Sequence, residues 1–239
     1  MDGFTYHDIF QTKGVEYLVI IAFLVLLVPF WIFVNKQSNI PKKVIETIRA
    51  LTMDILKIPK GIFFNRNHTW AYLEKSGIAE VGLDDLLFHL TGDVKFGNLK
   101  QIGESIKKGE LLAELVQNGK TLQVYSPISG DVIATNPLTH ENPSLIKKDP
   151  FQQGWVYRIA PSNWKAETSY CYFGDDASSW FIKEMERFKD FIAVSIGRNS
   201  QETSMVILQE GGELCDNPLS ELPGSVWMDF QHEFLDIDK

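Results

Sequence analysis

An apolar run without a single charge occupies residues 17–34, Tyr-Leu-Val-Ile-Ile-Ala-Phe-Leu-Val-Leu-Leu-Val-Pro-Phe-Trp-Ile-Phe-Val, and everything after it is written in much shorter apolar segments. At ~1.5 Å rise per residue, its roughly 18 residues come close to spanning a ~30 Å hydrocarbon core. The run is apolar on every face, which disfavours a helix half-buried in a globular core. Tyr17 and Trp31 stand towards its two ends, where an aromatic belt meets headgroups, with Phe23 between them. Pro29 removes one backbone hydrogen bond and predicts a kink, which membrane helices tolerate. Residues 1–16 hold Asp2, Asp8, Lys13 and Glu16, with no basic n-region, so a cleaved signal peptide is disfavoured. The pattern therefore predicts one transmembrane helix over 17–35, anchored by Tyr17, Phe23, Pro29 and Trp31.

Flanking charge sets the expected orientation. Lys13 is the only cationic side chain before the run, whereas Lys36, Lys42, Lys43 and Arg49 follow it. The positive-inside bias places residues 1–16 outside and the C-terminal part in the cytoplasm, as a single-pass protein of the cell (inner) membrane. Cys171 and Cys215 are too few for a disulfide framework and fit a reducing compartment.

Behind the run, Val44, Ile45, Ile48, Leu51, Ile55 and Leu56 recur at helical spacing, and Pro41 and Pro59 bracket them. They predict an amphipathic juxtamembrane helix over 41–57 that lies on headgroups, packs on the next domain or docks on a partner. From residue 58 to about 165 the pattern changes to short β segments punctuated by glycine. Trp70 to Val81 alternates around Gly77, and Val94 to Leu99 forms another segment. Leu111–Leu115 and Leu122–Tyr125 flank Asn118-Gly119, the strongest short hairpin signal. Gly92-Asp93-Val94 and Gly130-Asp131-Val132 hint at a weak internal duplication. Short strands with regular turns predict a small sandwich or barrel.

These residues carry a resemblance. His68-Thr69-Trp70, Ala79-Glu-Val-Gly-Leu-Asp84, Gly92-Asp-Val94 with Phe96 and Leu99, and Tyr125-Ser-Pro-Ile-Ser-Gly130 occur in order. Glu141-Asn-Pro-Ser-Leu145, Asp149-Pro150 and Gly154-Trp-Val-Tyr-Arg-Ile159 follow. Together they resemble the H-protein of the glycine cleavage system. The resemblance implies a lipoyl-type barrel-sandwich hybrid over 58–165, in a chain of mainly β, α+β class. It implies nothing about residues 1–57 or the extension 166–239, which that family lacks at this length.

In that family a lysine at a hairpin tip, in a Glu-Ser-Val-Lys-Ala setting, is lipoylated. Here the hairpin reads Glu114-Leu-Val-Gln-Asn-Gly-Lys120-Thr-Leu-Gln-Val-Tyr125. The interval from glutamate to tyrosine is two residues longer, so counting back from Tyr125 puts Gly119 in the lysine's slot. Lys120 is the one candidate for lipoate attachment, against the alternative of a solvated lysine beside a turn; the expectation is that no cofactor is carried.

In the extension, expected to be a small α/β unit, Ser178 reads as the cap of a helix with Phe181, Ile182, Met185, Phe188 and Ile192 on one face. Ser204 to Gln209 reads as a strand and Gly211-Gly212 as a turn. Val226 to Leu235 reads as a final helix whose Trp227, Phe230 and Phe234 share a face, either packed on the barrel or offered to a partner.

The chain has 239 residues and formal net charge -8. That balance, with no basic stripe interleaved with aromatics, argues against nucleic acid as a partner. The five histidines are scattered without metal-ligand spacing, and Asp84-Asp85 are adjacent residues that do not form an acid–base pair. No nucleophile motif or phosphate loop appears, so the chain is expected not to be an enzyme. Three functions remain from the sequence. The first is a non-catalytic anchored subunit of a membrane protein complex, of respiratory or other redox type, with the degenerate carrier domain as docking platform and the bilayer and neighbouring subunits as partners. The redox assignment comes from the company such domains keep, and the docking role rests on fold analogy. The second is a tethered carrier lipoylated at Lys120, and the third an adaptor of the membrane-fusion type.

Overall fold

The computed structural model describes residues 10–34, 51–97, 99–199 and 216–236. The chain divides into two compact units, Met1–Ile48 and Arg49–Lys239.

In the first unit, helix α1 covers Phe10–Val34 with Pro29 inside it. Its described side chains, Tyr17 to Trp31, are all exposed, Tyr17, Phe23, Pro29 and Trp31 among them. Among the described residues no helix is long and apolar enough to cross a membrane. The transmembrane helix expected over 17–35 is corrected accordingly.

The second unit opens on a turn rather than a helix. Ile55 N–H donates to Thr52 O (3.1 Å) and Leu56 N–H to Met53 O (3.2 Å), while Leu51 and Leu56 are buried. The amphipathic helix expected over 41–57 does not run through these residues, and positions 41–50 lie outside the described set.

Two antiparallel sheets follow. Strands β1 (Phe63–Phe64), β2 (Thr69–Leu73), β3 (Ala79–Leu83), β5 (Ser105–Ile106), β8 (Gly130–Thr135) and β9 (Trp155–Pro161) form a six-stranded sheet in the order β1-β2-β3-β9-β8-β5. Strands β4 (Lys95–Gly97), β6 (Leu111–Gln117) and β7 (Lys120–Tyr125) form a three-stranded sheet in the order β4-β6-β7. Alternation drives this arrangement: Leu122 and Val124 of β7 are fully buried while Thr121 and Gln123, which alternate with them, are exposed. One core joins both sheets, with Trp70, Val81, Leu83, Leu115, Val156 and Ile159 inside.

Short helices link the strands: α2 (Asp85–Thr91), α3 (Leu138–Glu141), α4 (Pro143–Lys148) and α5 (Trp164–Thr168). Asp84 caps α2, its Oδ1 accepting from Leu87 N–H at 2.8 Å. The long helix α6 (Asp175–Asn199) begins three residues before Ser178, which is therefore inside the helix and not its cap. Its first turn carries Asp175 and Asp176, which favours a helix N-terminus. Phe181, Met185, Phe188 and Ile192 are buried as the spacing predicts, and Ile182 is exposed. A 3₁₀ turn (Pro218–Glu221), α7 (Gly224–Phe230) and a π-helical turn (Gln231–Leu235) complete the described residues. The extension, expected to be α/β, is helical among the described residues; the strand expected over Ser204–Gln209 and the turn at Gly211-Gly212 lie outside them.

Candidate functional site

The β6–β7 hairpin closes through Asn118 (φ +49°) and Gly119 (φ +78°), with Gln117 paired to Lys120. Two consecutive left-handed residues match the right-handed twist of the strands, which is why Asn-Gly is favoured here. Gln117 Nε2 donates to Thr91 O (2.9 Å) and Asp93 O (2.8 Å), fixing the hairpin against the end of α2.

Lys120 lies on the same side of β7 as Leu122 and Val124, so its stem runs over the buried face and not into solvent. Its Nζ donates to Ser220 O (2.7 Å), Leu222 O (3.0 Å) and Leu219 O (3.4 Å), and stands 4.8 Å from the centroid of the Trp227 ring. Burial lowers the ammonium's pKa, opposed by the Glu221 carboxylate. The acceptors come from the 3₁₀ turn and Leu222, the residue that follows it. Trp227 Nε1 donates to Leu219 O at 2.7 Å, so the same turn holds both indole and ammonium. Nearby, Gln123 N–H donates to Gln231 Oε1 (2.7 Å) and Gln231 Nε2 donates to Gln123 O (3.0 Å), closing the outer edge of β7.

Two histidine–carboxylate pairs tie the extension down. His68, fully buried with φ +59°, places Nδ1 2.8 Å from Asp84 Oδ2 and Nε2 3.4 Å from Glu184 Oε1 on α6. The Nε2 contact is an ion pair without hydrogen-bond geometry. Burial alone pushes this imidazole down, but the charge and hydrogen bond of Asp84, joined by Glu184, outweigh it and carry His68 up to about 9. Glu184 is pushed up by burial and, more strongly, held below the usual carboxylate range by His68 and Arg187. Arg187 pairs with Glu184 at 2.8 Å, lies 4.0 Å from the Phe234 ring centroid and donates to Glu233 O. His89 of α2 sits 2.7 Å from Asp216 and 3.6 Å from Asp85; burial lowers it, and hydrogen bonds to Asp216 and Asp85 raise it to about 9. Asn217 N–H donates to His89 O (2.7 Å), and Lys147 Nζ to Asn217 Oδ1 (2.8 Å).

Residues 62–180 match the glycine cleavage H-protein family. A probable glycine cleavage system H protein of Thermococcus kodakarensis is 30% identical over 111 residues, covering 46% of this chain and 82% of that protein. The chain belongs to the glycine cleavage H-protein family. The glycine cleavage system H protein of Thermus thermophilus is 33% identical over 107 residues, 44% of this chain and 82% of that one. A crystal structure of a glycine cleavage system H protein from Mycobacterium marinum aligns with TM-score 0.41 at 25% identity, over 44% of this chain and 87% of that chain.

In this H-protein relative, the sequence-derived candidates fall in different places. Lys120 is engaged by the extension, and Gly119 occupies the turn itself. Trp227, Phe230 and Phe234 are buried, Phe230 and Phe234 stacking at 4.8 Å and packing on Phe188 and Phe191 of α6. His68 is a buried ion-pair member, and Asp84 and Asp85 serve separate histidines. Cys171 is half-buried, and Cys215 lies outside the described residues. Sequence reasoning missed α2, although Asp84 ahead of Leu86, Leu87, Phe88 and Leu90 is a capped apolar helix signal. It also missed the acceptors of Lys120, which lie about 100 residues away and carry no side-chain signature.

Proposed function

We propose that this H-protein family member is a non-catalytic docking subunit of a protein complex, using the carrier fold without a swinging arm. The engagement of Lys120 supports this reading above all else. An ammonium brings three N–H donors to three carbonyls, and the Trp227 ring covers it. Acylation of Nζ leaves a single N–H, removes the charge, and needs a path for the acyl chain past residues 219–222. Lipoate therefore does not fit Lys120 while the extension is in place. The shifted register, with Gly119 in the slot expected for the lysine, points the same way. What remains is a rigid two-sheet module whose hairpin is already committed to a protein contact.

Intact-mass measurement of the full chain, co-expressed with a lipoyl ligase in lipoate-supplemented medium, tests this. The expected result is an unmodified mass, together with stoichiometric protein partners on purification from the native cell. A lipoyl adduct mapped to Lys120 sinks the proposal and makes the protein a lipoyl carrier.

A further inference from the structure

We infer that the cleft between the β1–β2 loop and the segment after α5 binds the phosphoryl group of a small phosphorylated ligand. The cleft has a volume of about 260 Å³ and is lined by Asn65, Arg66, Lys108 and Tyr170. That is slightly below the ~300 Å³ at which pockets for drug-sized ligands begin, so it suits a small ligand or its head group. No acidic residue lines it, on a chain whose formal net charge is -8.

The sharpest sign is Asn65. It is 4% exposed, and its Nδ2 is a buried donor with no hydrogen-bond partner. Every other polar group of that residue is satisfied: Oδ1 accepts from Arg66 N–H (2.7 Å), N–H donates to Thr69 O (2.8 Å), and O accepts from His68 N–H (3.2 Å). A buried amide left open on a residue that lines the same cleft as two cations calls for an acceptor. Lys108 Nζ is positioned by one bond, to Glu167 O at 3.0 Å, leaving two N–H donors. The Glu167 carboxylate is turned to Ser129, accepting from its N–H (2.7 Å) and Oγ–H (2.5 Å), and does not bond the Asn65 amide. Arg66 is exposed at the rim, with a planar fork suited to two oxygens of one group. Two positive charges, the Asn65 amide and the Tyr170 hydroxyl supply more donors than a carboxylate accepts. They match a phosphoryl group of about -1.5 to -2 charge with three acceptor oxygens.

The test is a titration of the ¹⁵N-labelled full chain with inorganic phosphate at low salt, followed by ¹H–¹⁵N spectra. Saturable shifts of the Asn65 side-chain amide are expected, with half-saturation at lower concentration than for acetate. Arg66→Gln should weaken phosphate binding about tenfold, and Lys108→Gln several-fold, with the rest of each spectrum unchanged. Lys75→Gln, on another loop, should bind as the parent does. Shifts that never saturate, an equal or tighter response to acetate, or identical titrations for the parent and both cleft variants would each overturn the assignment.

Discussion

Among the described residues, two tight hairpins carry a lysine near the tip, and they end in opposite surroundings. The β2–β3 hairpin turns at Gly77 (φ +84°), closed by Glu74 N–H to Ile78 O (2.9 Å), and leaves Lys75 and Ser76 in solvent. The β6–β7 hairpin turns at Asn118-Gly119 and delivers Lys120 to three carbonyls and an indole. Local sequence suffices to build either turn. The difference comes from residues 216–236, which reach one tip and not the other. A lysine beside a turn is ordinarily a solvated group; here the extension has converted one into a joint between two parts of the fold.

If the extension makes the difference, loosening its grip should have the largest effect. His68→Leu leaves Asp84 and Glu184 buried without their shared cation and should cost about 3–5 kcal/mol, read from urea unfolding. A loss below 1 kcal/mol would mean that the α6 contact is not ionic. The same pairs make stability depend on pH. Both histidines are raised from 6.5 to about 9, so their contribution is complete below pH 6.5 and disappears as pH climbs through 9. Unfolding free energy should fall by on the order of 3 kcal/mol per histidine across that window, and a flat profile would show that the imidazoles are neutral. Lys120→Met keeps the stem and removes the charged donor; about 1–2 kcal/mol should be lost, with faster amide exchange across residues 219–222. At the free tip, Lys75→Ala should change stability by less than about 0.5 kcal/mol. Equal costs for the two lysines would erase the distinction between the hairpins.

Legibility tracked the range of each interaction. Asn118-Gly119 announced its turn because only certain residues accept two positive φ angles. The buried face of α6 was legible from spacing, although its start was misplaced because Asp175 and Asp176 outcompeted Ser178. The family residues from His68 to Ile159 carried the two-sheet domain. The charge-free run at the N-terminus read as a membrane span, whereas among the described residues no helix is long and apolar enough to cross a membrane. The grip on Lys120 was invisible because its acceptors are backbone carbonyls, which every residue possesses, set by a fold closing over about 100 positions.

The reciprocal bonds between Gln231 and Gln123 carry one more consequence. β7 is the outermost strand of its sheet, and an uncovered strand edge is a template for another chain. The Gln231 amide presents a donor and an acceptor to β7 much as a neighbouring strand would, one residue deep. A chain cut short before residue 216 would lose this plug along with the cover over Lys120. Its characteristic failure would then be edge-to-edge self-association into oligomers, with the sheet itself still intact.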